Sequence, residues 1–265
     1  MQLKKIILLY FLALLAAGCA TYTAQYRNED DAIKPLPEKA KESRFFLPGD
    51  AGYSSMDELS EGLQVLKALV EEESDTNDFI VYLGDNVYPS GIPEKKDENY
   101  QLARHRLDVQ TDIGKNFNGK TLFIPGNHDW YADDPLKGLK RQEEIVNDAL
   151  GEESFLPEHG CPLSEKDLNE DMKIIIIDTQ WYLEDWDKLP EINNECEINT
   201  RERFLLEVKG ELKKGADKTV LFFMHHPMFT NGIHGGRYAL NKHLYPMSEN
   251  KKIPLPVLGT LVAQI

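Results

Sequence analysis

The sequence predicts an α/β layered fold, in which strands and helices alternate along the chain. Short apolar runs recur between longer segments whose apolar residues are spaced as on one face of a helix. One of these runs, Lys173–Ile177 (KIIII), is almost purely apolar, which is typical of a strand buried on both faces of a sheet. An alternation of this kind indicates a layered α/β domain.

The predicted elements follow one another from residue 44 to residue 224. Strands are predicted at Arg44–Pro48, Phe79–Leu83, Thr121–Ile124, Lys173–Ile177 and Thr219–Met224. Helices are predicted at Met56–Glu73, Glu98–Asn116, Leu136–Leu150 and Thr200–Lys214. Ser54 and Ser55 are candidates for the N-cap of the first helix. The acidic stretch Asp185–Asn199 has neither periodicity and is predicted to be a loop.

The first twenty residues, MQLKKIILLYFLALLAAGCA, are typical of a secretory signal, with two lysines before an apolar run that is short for a membrane span. The ending AAGC resembles the bacterial lipoprotein processing site, with Cys19 as the lipidated residue; a plain cleaved signal peptide is the alternative. We expect residues 1–19 to be a lipoprotein-type signal peptide, residues 20–43 a polar tether and residues 44–265 the folded domain. The expected location is the cell envelope or the periplasm or extracellular space, with a membrane anchor through Cys19.

The charge argues against one class of partner. The chain has 30 Lys and Arg against 45 Asp and Glu, a net charge of −15, and nothing basic stands out to neutralise nucleic-acid phosphates. A small phosphorylated substrate needs only a local positive centre, which a metal ion could supply. Cys161 and Cys196 could pair in an exported protein, although the sequence does not give the distance between them. There is no Cys-x-x-Cys pair of the kind that indicates a structural zinc site.

Polar residues follow four of the predicted strands. They are GDAG at residues 49–52, GDNVY at 84–88, GNHD at 126–129 and HHP at 225–227. In open α/β sheets ligands bind beyond the carboxyl ends of the strands, so these residues are expected to meet at one edge. A glycine precedes the polar residue in the first three motifs, where the backbone can turn sharply near a ligand.

Together these motifs predict a metal site. Carboxylates, an amide oxygen, imidazoles and a phenol suit iron, manganese or zinc, and two metals sharing a carboxylate form a clamp for phosphoryl hydrolysis. Each motif alone has a plainer explanation: Gly-Asp is usually a turn, Tyr88 could be a packing residue, and His-His-Pro could be a loop. Four such turns in one order, each after a predicted strand, favour the metal site.

The four motifs resemble those of the calcineurin-like metallophosphoesterases, and within them the small tartrate-resistant branch of the purple acid phosphatases. The resemblance runs from about residue 44 to about residue 236, and the tyrosine three residues after Asp85 is its most selective part. It implies a four-layer α/β/β/α sandwich with two metal ions, Fe(III) with Fe(II), Zn or Mn. In that arrangement Asp85 bridges both metals, Asp50 and Tyr88 join the ferric ion, and Asn127 and His225 belong to the second metal.

The resemblance also implies roles for side chains around the metals. His128 looks like the outer histidine that contacts phosphate and protonates the leaving oxygen, and Asp129 is expected to orient it. His225 is chosen over His226 because the family's ligand lies two residues before the proline. His234 matches a second histidine on the substrate side; otherwise it is a solvent residue in a glycine-rich loop.

One motif of the family is missing. Gly-His-x-His, which gives one ligand to each metal, occurs nowhere in the 265 residues. His243 has no partner two residues away, and the sequence stops at Ile265 in an apolar stretch. We therefore expect the chain to be truncated relative to its relatives, with the sandwich incomplete at its carboxyl end.

The sequence thus predicts a dinuclear-metal phosphoric ester hydrolase. The first reading is a phosphomonoesterase of the acid phosphatase type, acting on a small phosphorylated substrate with a metal-bound hydroxide. A phosphodiesterase or nucleotide hydrolase on the same scaffold is one alternative, and an envelope lipoprotein that binds without catalysis is the other. The missing motif favours the last. Residues 185–197, the larger part of the acidic stretch, could be a lid or a solvated loop.

Overall fold

The computed structural model describes residues 43–230. The predicted signal peptide, Cys19, nearly all of the tether, His234 and His243 lie outside the described residues, so what the sequence predicts for them stays a prediction. Within residues 43–230, no helix combines the length and the apolar character needed to cross a bilayer.

The first sheet has three parallel strands in the order β1–β2–β3. They are β1 (Phe45–Phe46), β2 (Phe79–Tyr82) and β3 (Lys120–Phe123), and the accompanying helices are α1 (Glu61–Glu73), α2 (Tyr100–Lys115) and α3 (Pro135–Leu150). Helix α1 begins five residues later than predicted, because the Ser55 hydroxyl accepts hydrogen bonds from the backbone N–H groups of Asp57 and Glu58 and forms a local turn. The prediction that Ser54 or Ser55 caps this helix is therefore wrong.

The second sheet has the order β4–β5–β6, in which β4 is antiparallel to β5 and β6 is parallel to it. Its strands are β4 (Leu163–Asp167), β5 (Met172–Ile177) and β6 (Thr219–Phe223), and the helices of this half are α4 (Thr179–Leu183), α5 (Pro190–Asn193) and α6 (Arg201–Lys214). Every residue of β5 after the first is buried, as the apolar run predicts. The edge strand β4 and the short helix α4 were not predicted.

The acidic stretch over residues 185–199 is not the loop that the sequence predicts. It contains a 3-10 turn at Trp186–Lys188 and the helix α5, and both Trp186 and Ile192 are buried. The Trp186 ring packs on Trp130 at 4.0 Å between centroids. The Asn193 amide donates to the carbonyl of Trp186 at 2.7 Å and accepts from the Trp181 indole at 2.9 Å. Burial of these few apolar side chains outweighs the charge of their neighbours.

The two sheets pack face to face with helices on their outer sides. Phe79 and Val81 of β2 share one apolar cluster with Ile174 and Ile176 of β5. The residues between them, such as Ile80, point the other way and join a larger cluster with residues of the helices. This alternation confirms the predicted α/β class with two sheets, since successive strand residues face opposite sides.

A disulfide joins Cys161 to Cys196, with 5.4 Å between the two Cα atoms. It closes a loop, with the two cysteines 35 residues apart, that carries β4, β5 and most of the acidic stretch. Replacing both cysteines with serine is expected to lower the free energy of unfolding by about 3–4 kcal/mol, because the unfolded chain regains the freedom that the cross-link removes. Urea unfolding of the double variant checks this, with the reduced wild-type chain as control. Equal unfolding midpoints for the double variant and the oxidised wild type would contradict it.

Candidate metal centre

The polar residues that follow β1, β2, β3 and β6 meet at one edge of the two sheets. The loops after β1 and β2 are hydrogen-bonded to each other through Asp50 N to the Gly84 carbonyl at 3.2 Å and Gly52 N to the Asp85 carbonyl at 3.0 Å. Asp50 and Asp85 have φ angles of 54° and 55°, a left-handed conformation that is uncommon for residues other than glycine. Such local strain is found mostly where a site requires it, and here it falls on two predicted metal ligands.

Two glycines of the motifs leave room for the site. A Cβ atom on Gly126 would lie 2.3 Å from Asp85 Oδ1, and one on Gly84 would lie 2.8 Å from His225 Nδ1. Any larger residue at these positions would therefore displace a side chain of the site. Gly49 has no such constraint, since its nearest neighbour would be Leu83 Cβ at 4.0 Å.

Asp85 is the centre of the arrangement. Its buried carboxylate accepts a hydrogen bond from the Tyr88 hydroxyl at 2.7 Å on Oδ2 and one from the backbone N–H of His128 at 2.9 Å on Oδ1. The Tyr88 hydroxyl also lies 2.8 Å from Asp50 Oδ1, so one proton serves two carboxylates. The phenol is thus within reach of both aspartates, as the spacing in GDNVY predicts.

His225 completes the edge on the side of β6. Its Nδ1 lies 2.8 Å from the Leu83 carbonyl, from which we assign the proton of the neutral ring to Nδ1. The free lone pair is then on Nε2, which lies 3.0 Å from Asn127 Oδ1 and 3.5 Å from Asp85 Oδ1. His226 instead contacts Thr179 Oγ1 at 2.7 Å through Nδ1. Of the two histidines, His225 is therefore the one that faces the other motifs.

This donor set fits a cation. One ligand atom from each of Asp50, Asp85 and His225 lies within 4.8 Å of the others, and these atoms are acceptors that face acceptors. Among the ion pairs of residues 43–230, neither aspartate is matched with a lysine or arginine. Carboxylate, phenol, amide and imidazole ligands suit iron, manganese or zinc, and a bound cation would relieve the repulsion between them.

The hydroxyl of Tyr88 is held in its neutral form when no cation is bound. Burial raises the pKa of Tyr88 above its ordinary value, and the hydrogen bonds to Asp85 and Asp50 raise it further. A trivalent ion beside the oxygen would reverse this balance, because its charge exceeds that of either carboxylate and favours the phenolate.

His128 lies beside the donor set, and its ring is fixed by the backbone. Its Nδ1 lies 2.6 Å from the Pro89 carbonyl, and its Nε2 lies 4.0 Å from Asp85 Oδ2. The prediction that Asp129 orients this ring is wrong, since within residues 43–230 the Asp129 carboxylate accepts its hydrogen bonds from Gly126, Asn86 and Val87. The local sequence places Asp129 next to His128, but the short 3-10 turn at His128–Trp130 directs the two side chains apart.

Asp129 instead joins the loops after β2 and β3. Its carboxylate is fully buried and accepts from the backbone N–H groups of Gly126 at 2.8 Å, Asn86 at 2.9 Å and Val87 at 3.1 Å, and from the Asn86 side-chain amide. Burial raises the pKa of Asp129 to about 8, while the backbone donors act in the opposite direction. Asp129 is thus a positioning residue for the loop that carries Asp85.

Two side chains of α2 that the sequence did not single out also hold this loop. Arg106 donates to the carbonyls of Ser54 and Tyr88, both at 2.8 Å, and Gln110 donates to the carbonyl of Asn86 at 2.7 Å. The one signal in the sequence is a glutamine placed three residues after a leucine on the apolar face of the predicted helix. A buried polar residue of that kind needs a partner.

A third contact that the sequence did not show connects the two halves of the fold. The Trp130 indole donates to Asp178 Oδ2 at 2.8 Å, which ties the loop after β3 to the residue that follows β5. Asp178 also caps α4 by accepting from the N–H groups of Gln180 and Trp181. Burial raises the pKa of Asp178 to about 7.

Comparison with known proteins points in the same direction. The sequence profile described as calcineurin-like phosphoesterase matches residues 49–252. Purple acid phosphatase 17 of Arabidopsis thaliana is 25% identical over 193 residues, which cover 69% of this chain and 52% of the relative. Purple acid phosphatase 4 of the same organism is 22% identical over 233 residues, covering 86% of this chain and 64% of the relative. The chain therefore spans between half and two thirds of the length of these curated relatives.

Proposed function

The chain belongs to the calcineurin-like phosphoesterase family, and from this premise we propose that it is a dinuclear-metal phosphomonoesterase of the acid phosphatase type. The observation that carries the proposal is the Tyr88 hydroxyl within 2.8 Å of two carboxylates at the edge of the sheets. A phenol has one proton and can donate it to only one of the two carboxylates at a time. Its oxygen can, however, serve as a ligand to iron beside them.

In this proposal the described residues would supply ligands for two ions. Asp50 and Tyr88 would hold one ion, Asn127 and His225 would hold the other, and Asp85 would reach both through its two oxygens. When bound, the ions neutralise the phosphate and make a water-derived nucleophile available near neutral pH. We propose Fe(III) for the site with Tyr88, and Fe(II), Zn or Mn for the second.

His128 is the residue of this chain that would move a proton. The Pro89 carbonyl keeps one proton on Nδ1, so the open nitrogen, Nε2, is the atom that gains or gives a second proton. In its doubly protonated form the ring can donate from Nε2 to the leaving oxygen of the ester. The backbone N–H of His128 donates to Asp85 Oδ1, which ties the position of this acid to the carboxylate that would reach both ions.

The proposal is tested by measuring metal content and phosphate release on the same preparation, purified without its first nineteen residues. We expect two metal ions per chain and faster hydrolysis of phenyl phosphate than of diphenyl phosphate. Faster hydrolysis of the diester would point to a phosphodiesterase. A metal-free chain without activity would point to a binding protein built on the same frame.

Replacing Tyr88 with phenylalanine is expected to remove the visible absorption band that an iron–tyrosinate bond gives, because the ligand oxygen is lost. Absorption spectra of the iron-loaded wild type and variant check this. Tyr53→Phe is the matched control, since the Tyr53 ring lies 5.9 Å from that of Tyr88 and outside the donor set. A band that persists in Tyr88→Phe would exclude Tyr88 as the iron ligand.

A further inference from the structure

Four rings form a continuous line along the candidate site, which we call the aromatic row. It consists of Tyr53, Tyr88, His128 and Tyr131, with successive centroid distances of 5.9, 4.4 and 5.0 Å. Each distance is within or close to the range of about 4.5–7 Å in which rings interact favourably. The two inner members belong to the site already described, whereas the two outer tyrosines are not among its proposed metal ligands.

The outer rings are exposed and yet held in place. Tyr53 is 71% exposed and Tyr131 is 48% exposed. The Tyr131 hydroxyl accepts a hydrogen bond from Asn127 Nδ2 at 2.9 Å, and the Arg106 guanidinium lies 5.2 Å from the centroid of Tyr53. A large aromatic ring that is fixed and open to solvent loses little conformational freedom on binding a flat partner.

The leaving group of an ester would meet Tyr131 rather than Tyr53. The open Nε2 of His128 is where the leaving oxygen would be protonated, within roughly 3 Å. Tyr131 is the neighbour of His128 in the aromatic row, at 5.0 Å, and has no other ring contact among the described residues. Tyr53 is two rings away from His128, and Arg106 already occupies a position against its ring. A ring attached to the leaving oxygen therefore comes within stacking distance of Tyr131.

We propose that Tyr131 selects phosphomonoesters whose leaving group carries a flat aromatic ring. This inference rests on the proposed function and names the substrate class of the same site. The ring could be attached to the ester oxygen itself, as in an aryl phosphate, or could be the base of a nucleoside monophosphate. Both supply the same stacking surface, and they differ in how far the ring lies from the phosphate.

The test uses non-hydrolysable phosphonates, so that binding is measured apart from turnover. Benzylphosphonate places a flat ring one atom from phosphorus, and cyclohexylmethylphosphonate places a puckered ring of similar size there. The phosphonate analogue of adenosine monophosphate places the ring beyond a ribose. Calorimetric titration of the metal-loaded chain gives the Kd of each ligand for the wild type and for Tyr131→Leu, Tyr131→Phe and Tyr53→Leu.

We expect Tyr131→Leu to weaken the binding of benzylphosphonate about five- to tenfold and that of the cyclohexyl compound less than about twofold. Tyr131→Phe keeps the ring and should retain the preference for the flat ligand, whereas Tyr53→Leu should leave the ratio of the two Kd values unchanged. A selective loss for the adenosine analogue alone would also support the proposal and would identify a nucleobase as the ring. Equal losses for flat and puckered ligands in Tyr131→Leu would overturn it, because Tyr131 would then only hold Asn127.

The outcome separates this inference from the proposed function. A chain that binds the flat phosphonate through Tyr131 but releases no phosphate from any ester keeps the inference and overturns the phosphomonoesterase. A chain that hydrolyses phenyl phosphate but shows no difference between flat and puckered ligands that depends on Tyr131 keeps the proposed function and overturns the inference. Failure of all three phosphonates to bind the metal-loaded chain overturns the inference.

Discussion

Replacing Asp85 with asparagine is expected to lower kcat/KM for phenyl phosphate by more than about a hundredfold, because loss of even the outer partners of a metal ligand costs roughly 10–100-fold. Within residues 43–230, Asp85 lies between the two halves of the donor set, with Oδ2 at 2.7 Å from the Tyr88 hydroxyl and Oδ1 at 3.5 Å from His225 Nε2. Asparagine has nearly the same volume, but it removes a charge and puts an N–H₂ donor where two acceptors are needed. Steady-state kinetics and metal analysis of the purified variant check this.

The control for Asp85→Asn is Asp57→Asn, which makes the same change of charge at an exposed position on the loop after β1. The control should keep the metal content and the activity of the wild type. Asp85→Asn should keep the thermal unfolding profile of a folded chain while it loses metal. Activity within a few-fold of that of the control would show that Asp85 is not a metal ligand.

Much of this site could be predicted from the sequence, because its residues follow strands directly. The apolar runs that become β2, β3 and β6 each end where a motif begins, and parallel strands present their carboxyl ends at one edge. The positions of Asp85, Asn127 and His225 follow from that rule. The residues of the site can therefore be identified from the local sequence and from the parallel direction of the strands.

What the sequence does not show depends on contacts between distant segments. Strand β4 (LSEKD) is polar and has no buried residue, and it is its pairing with β5 that makes it a strand. The acidic stretch over residues 185–199 is predicted to be a loop because its local sequence is dominated by charged residues. The packing of Trp186 on Trp130, which orders it, is a contact between distant segments that the local sequence does not show. The turn that delays α1 is likewise decided by a serine side chain that competes with the helix for backbone donors.

The roles of the polar residues around the motifs were the hardest to predict. Neighbours in sequence, such as His128 and Asp129, are not neighbours in function here, because a single tight turn separates their side chains. Arg106 holds Tyr88 from a helix eighteen residues further along the chain, and nothing in the local sequence marks that contact. A motif thus identifies the atoms that do chemistry, while the residues that hold them are found only in three dimensions.

Asp129 provides the strongest test of that distinction, since its expected effect is on stability rather than on metal binding alone. Asp129→Ala should lower the free energy of unfolding by about 3–5 kcal/mol, because the N–H groups of Gly126, Asn86 and Val87 would lose a buried acceptor at about 1–3 kcal/mol each, and water would recover part of that cost. Asp129→Asn keeps one acceptor oxygen and should lose less. Urea unfolding of both variants measures the difference.

The matched control is Asp133→Ala, an exposed aspartate four residues further on, which should change stability by no more than about 0.5 kcal/mol. A loss in Asp129→Ala as small as that of Asp133→Ala would mean that the loops after β2 and β3 are held together by other contacts. A large loss with normal activity in the surviving folded fraction would mean that the loop keeps its shape without Asp129. If Asp129 positions the loop that carries Asp85, Asp129→Ala should lose both stability and metal. Asp85→Asn should lose metal alone.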